Sequence, residues 1–230
     1  MKFLAKKSAI IVCAVALLSA NIFAEGNSKA DAKQPQIKIS WNLKEDTKLT
    51  EADKKAIVTL CENFQKELSK NNVEGVAKYF AGEEKLRTNM AKLIIEYSRT
   101  ASLIDKEYGE GAFKKFGKTK PLAGHLYYFG FARGDAKIKE ARGYYFLIAG
   151  NKRRSNFVVI KENNNWRIAD RKMLTRPSRA KMMTKSPGPK YALLKKFQPF
   201  IDKSKYTLKQ CKQKYVDLVT GGRGTRRAPK

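Results

Sequence analysis

The sequence predicts an α+β fold, and three observations carry that prediction. Apolar residues recur at helical spacing between residues 50 and 116. Aromatic and β-branched runs cut by short polar turns then fill residues 125–170. Two further helical patterns, rich in lysine, follow a proline-rich stretch near the C-terminus. Helices first and hairpins second place the helices against one sheet, because a two-sided apolar sheet needs covering.

The elements follow in chain order. Lys2, Lys6 and Lys7 precede an apolar run over residues 8–18, and Ala24 supplies a small residue before a cleavage point, so residues 1–24 read as an export signal. The run is too short for a membrane span. Residues 25–49 read as a flexible leader, polar and rich in small residues at their start. Thr50 with Asp53 three residues on is a variant capping box, and Ile57, Leu60, Cys61, Phe64 and Leu68 share one face of the first helix. Asn71 and Asn72 stop it. A short second helix over residues 73–80 carries Val76, Tyr79 and Phe80. A third starts near Glu83, with Leu86, Met90, Leu93, Ile94, Tyr97 and Ile104 on one stripe, and a broken helix end over residues 108–117 turns Phe113 and Phe116 inward.

Five antiparallel strands are expected, over residues 126–132, 136–140, 143–149, 157–161 and 166–170. On the first, His125, Tyr127, Phe129 and Phe131 share a face. Trp166 alternates with Arg167 and should close the core beneath the last hairpin.

The phrase FQKELSKNNVEGVAKYF, starting at Phe64, resembles the helix, break and second helix that open the nuclear transport factor 2-like superfamily. The phrases GDAKIKEARGYYFLIAG and NFVVIKENNNWRIAD resemble its sheet, with the last hairpin running from Val158 to Ile168. The resemblance covers about residues 50–172 and implies helices packed on the concave face of a bent antiparallel sheet, with a ligand pocket between them. Tyr97, His125, Tyr127, Phe129 and Tyr145 are the pocket residues this implies. Enzymes of the superfamily, such as ketosteroid isomerase and polyketide cyclases, place a basic group and a tyrosine there. His125 and Asp170, with Glu140 as a further acid, are the matching catalytic candidates. Sheet-face dimers are common among these proteins, so a homodimer is expected.

The charge is uneven. The 230 residues carry 49 Lys/Arg against 21 Asp/Glu, a net +28. Residues 171–230 alone hold 18 Lys/Arg against Asp202 and Asp217. Residues 173–190, with Pro177, Pro187 and Pro189, read as a solvated linker. Residues 191–220 form a basic helical extension whose last helix puts Leu208, Cys211, Tyr215 and Leu218 on one face, and 221–230 read as a disordered tail. Lys209, Lys212, Lys214, Arg223, Arg226 and Arg227 are candidate anion contacts, for an envelope glycolipid or acidic polysaccharide. Arg133-Gly134-Asp135 matches an adhesion tripeptide, which a hairpin turn explains equally well.

Two of the three cysteines, Cys61 and Cys211, lie beyond the export signal. They pair in a disulfide or stand as two buried thiols, since both sit on apolar helix faces. With one histidine, His125, a zinc site would need carboxylates, so no metal is expected. No phosphate loop or nucleophile elbow occurs, and no cofactor is implied. The sequence thus favours an exported, secreted or periplasmic binding protein for a small apolar or amphipathic ligand, with a pocket isomerase, cyclase or hydrolase as the alternative.

Overall fold

The computed structural model describes residues 38–116, 135–149 and 156–221. The expected export signal, the expected strand over residues 126–132, the adhesion tripeptide as a unit and the tail arginines lie outside the described residues.

The fold is α+β, built on a five-stranded mixed sheet in the order β1-β2-β3-β4-β5. The strands are β1 (Lys38–Asn42), β2 (Asp135–Ala141), β3 (Tyr144–Ala149), β4 (Phe157–Glu162) and β5 (Asn165–Asp170). Two of its hairpins have two-residue loops in which both residues take positive φ. These are Arg142-Gly143 (55° and 73°) and Asn163-Asn164 (49° and 61°). That geometry matches the right-handed twist of the flanking strands and suits glycine and asparagine. It fixes the register that pairs Ile138 with Leu147 and Val159 with Ile168.

One expectation is corrected at β1. Residues 25–49 read as flexible leader, yet Lys38–Asn42 pairs parallel with β2, opposing Ile39 to Ala136 and Trp41 to Ile138. The sheet is therefore mixed and not purely antiparallel. Ile39 and Trp41 pack on the main core, and Leu49 is buried. Burying those side chains offsets the cost of ordering the segment.

The helices are α1 (Glu51–Ser69), α2 (Val73–Ala77), α3 (Glu84–Tyr108) and α4 (Ala112–Phe116), followed after the sheet by α5 (Arg171–Leu174), α6 (Pro177–Lys185), α7 (Pro189–Phe197) and α8 (Leu208–Thr220). The capping box forms: Thr50 Oγ1 accepts from the Asp53 amide at 3.1 Å and Asp53 Oδ2 accepts from the Thr50 amide at 3.2 Å. The whole stripe Ile57, Leu60, Cys61, Phe64 and Leu68 is buried. Asn71 takes a left-handed φ of 55° and Asn72 caps α2 by accepting from the Gly75 amide at 3.0 Å. Residues 79–81 then run along β5, where the Ile168 amide donates to Tyr79 O at 2.8 Å and the Ala81 amide to Ile168 O at 2.9 Å. That bridge covers the edge of β5 at Ile168.

The long helix α3 is buried on more than the single stripe its periodicity showed. Beyond Met90, Leu93, Ile94, Tyr97 and Ile104, it also buries Ala91, Ile95, Glu96 and Thr100. The reason is the C-terminal extension, which folds back over it. Gln198 Nε2 donates to Glu96 Oε1 and, at 3.2 Å, to Thr100 Oγ1, while Lys195 Nζ lies 3.5 Å from Glu96. A buried carboxylate is tolerated because both partners meet it.

The extension is locked by aromatic packing. Phe197 is fully buried edge-on against Tyr215 of α8, with ring centroids 4.9 Å apart. The α8 helix starts on a second capping box, Thr207 with Gln210. Its Cys211 and Tyr215 are buried, and Tyr108 at the end of α3 donates to Tyr206 O at 3.1 Å. Among the described residues no helix is long and apolar enough to cross a membrane.

Candidate functional site

The expectation that residues 173–190 form a solvated linker is also corrected. Pro177 and Pro189 each occupy the first turn of a helix, α6 and α7. A missing amide costs nothing there, and the fixed φ already suits the helix. Met173 and Met183 are buried, and Asn89 of α3 donates to Met183 O at 2.8 Å, tying the end of α6 down.

A pocket of about 540 Å³ lies where this segment crosses the end of the sheet. Its floor is apolar: Met90, Leu93 and Ile94 of α3, and Phe157 of β4. Met173, Met182 and Met183 form the facing wall. Four of the five methionines of the chain thus line one cavity, the fifth being Met1. The mouth is rimmed by Ser186-Pro187-Gly188-Pro189, where Gly188 takes a φ of 85°. Met182, on the rim, is 65% exposed, an unusual cost for so apolar a side chain.

The polar end is built by Asp170, the last residue of β5. The register opposes it to Phe157, so both reach the same face of the sheet. Asp170 is buried, and its Oδ1 accepts from the Lys172 amide at 2.8 Å, capping α5. Its Oδ2 lies 4.0 Å from Arg179 Nη2. That separation is a charge contact, too long for a hydrogen bond. Lys185 and Lys190 complete the charged lining. Burial, then the neighbouring charges of Arg179 and Lys172, pull the Lys190 ammonium below its ordinary pKa, with Asp170 opposing them.

Of the candidate site residues that are described, Asp170 alone lines this pocket. Tyr97 is fully buried within the core, and Tyr145 stacks edge-on against Trp166 at 6.1 Å. Neither lines this cavity. His125, Tyr127 and Phe129 lie outside the described residues. Glu140 is at the other end of the sheet, accepting from the Lys44 amide at 3.3 Å.

Trp166 is half-buried, so it seals the edge of the core and not its centre. Its Nε1 donates to Asp53 Oδ1 at 3.0 Å, and Lys161 lies 5.8 Å over its ring.

The disulfide is not formed: Cys61 and Cys211 are both buried free thiols. Burial pushes the first up to about 12 and the second to about 11, so neither is a nucleophile at neutral pH. No group of three His, Cys, Asp or Glu side chains suited to a metal occurs among the described residues.

In the basic extension, Lys209 is exposed. Lys212 Nζ donates to Lys115 O at 3.0 Å, and Lys214 lies over the rings of Phe200 and Tyr206 at 5.8 and 5.7 Å. Two of the candidate anion contacts therefore help dock α8. Arg223, Arg226 and Arg227 lie outside the described residues.

What fold and site define is an α+β domain with a methionine-lined pocket walled on one side by its own C-terminal extension. Comparison with known proteins finds no matching family model, curated protein or solved structure.

Proposed function

We propose that this is an exported, non-catalytic binding protein that holds a small molecule with an apolar body in the pocket between α3 and residues 173–190. The observation that carries the reading is the gathering of four methionines around one cavity. Methionine is unbranched and polarisable, and adapts to ligands of varied shape. A cavity of about 540 Å³ is of the size small-molecule sites have. Asp170 is already engaged by the Lys172 amide and by Arg179, which favours binding over a catalytic role for its carboxylate. The lysine-led apolar run at residues 8–18 supports export, and a mature protein beginning near Glu25 in the exported fraction is the matching readout.

The helix, break and helix of residues 64–80 and the hairpin from Val158 to Ile168 support placing residues 50–172 with the nuclear transport factor 2-like superfamily. The parallel strand β1 and the folded-back extension are departures from its plain form. Tyr144 and Phe146, on the sheet face away from α3, support a homodimer through that face.

The test uses N-phenyl-1-naphthylamine, a neutral dye that fluoresces in apolar surroundings. It should bind at a single saturable site, and Leu93→Trp, which fills the pocket, should abolish the signal while the protein stays folded. No enhancement, or an enhancement that Leu93→Trp leaves unchanged, would overturn the proposal.

A further inference from the structure

Among the described residues the charges lining the pocket are unbalanced: Arg179, Lys185 and Lys190 stand with one acid, Asp170. Asp170 spends one oxygen on the Lys172 amide and reaches Arg179 only at 4.0 Å. Among the described residues the Arg179 guanidinium has no hydrogen-bond acceptor within reach, and its side chain is 35% exposed at the edge of the cavity. A guanidinium carries five N–H donors in a fixed fork that matches a carboxylate or phosphate. Asp170 therefore orients Arg179 without using up its donors. The pocket then has two unlike ends: a methionine, leucine and phenylalanine floor, and a charged end that, among the described residues, holds two more cations than anions.

Resting on the binding function proposed above, we infer that the ligand is a single-chain amphiphile with an anionic head, its chain among Met90, Leu93, Phe157 and Met183 and its carboxylate or phosphate against Arg179 and Lys190. The lowered basicity of Lys190, from burial first and then from Arg179 and Lys172, fits this, since an arriving anion would favour its charged form. A cationic amphiphile would meet the same excess charge as repulsion. A neutral one would bring the Arg179 donors no anionic acceptor.

The full-length mature protein is titrated calorimetrically at physiological salt with four ten-carbon probes below their micelle concentrations. These are decanoate, decyl phosphate, 1-decanol and decyltrimethylammonium. One of the anions should bind at least about tenfold tighter than 1-decanol, and the ammonium more weakly than either, in line with the strength of charge-assisted hydrogen bonds. Arg179→Gln and Lys190→Gln should each remove most of that preference in a protein that stays folded and still binds 1-decanol, with Arg179→Gln melting lower because Asp170 loses its charge partner.

Equal binding of anion and alcohol would overturn the head-group assignment while leaving the apolar pocket intact. An anion preference that survives both substitutions would overturn it too, by placing the head elsewhere on this basic chain. Binding of none of the four would remove the pocket reading and this inference together.

Discussion

Asp53 shows how one short side chain ties two ends of the chain. Its carboxylate serves the α1 capping box and receives Trp166 Nε1 and Lys161, over a hundred residues away. Hydrogen bonds from the Thr50 hydroxyl first, then the Thr50 amide and Trp166, hold it at about 2, down from 3.8. A depressed folded-state pKa stabilises the fold fully above the unfolded value, and that contribution is lost as pH falls through the folded one. The melting-temperature gap between wild type and Asp53→Asn should therefore be widest above pH 4 and shrink as the pH is lowered to 2. A gap independent of pH would show that the carboxylate charge contributes nothing. Trp166→Phe, which keeps a ring but drops the donor, should cost about 1 kcal/mol in a urea melt. Half-burial lowers the expected cost of Trp166→Ala to about 2–3 kcal/mol, below that of a fully enclosed tryptophan. Thr50 and Asp53 were readable as a cap because a capping box is local. Their link to Trp166 was not, because nothing in sequence spacing reports a contact between distant elements.

At the scale of elements, local chemistry was the legible part. The stripe of α1, the stop at Asn71-Asn72 and the last hairpin followed from periodicity and turn residues alone. Strand β1 was missed although its signal was present. Ile37, Ile39, Trp41 and Leu43 alternate with polar residues, but the segment follows a polar leader and its parallel partner lies far along the chain. Residues 173–190 were missed for a different reason. Proline marks a helix start as readily as a break, and which it is depends on a surface such as α3 being there to receive the helix. The second buried side of α3 was hidden by the same dependence. If the extension is part of the core, Phe197→Ala should cost about 3–5 kcal/mol, with the protein still unfolding in one transition. A loss below about 1 kcal/mol would mean α7 and α8 are an independent appendage.

For the whole molecule, the extension does two jobs. It covers α3, and by doing so it walls one side of a cavity that neither the sheet nor α3 forms alone. Of the pocket, sequence reading reached only Asp170. The other walls come from three separate stretches, and their common feature, the clustering of methionines, appears only once residues 171–190 are seen to fold back over α3. Those methionines also supply the most direct test. With the methionine methyl groups labelled with carbon-13, each gives its own NMR signal, and saturating the protein with N-phenyl-1-naphthylamine should move the signals of Met90, Met173, Met182 and Met183 together along one binding curve. Four stationary signals in the presence of bound dye would place the ligand elsewhere and contradict the account.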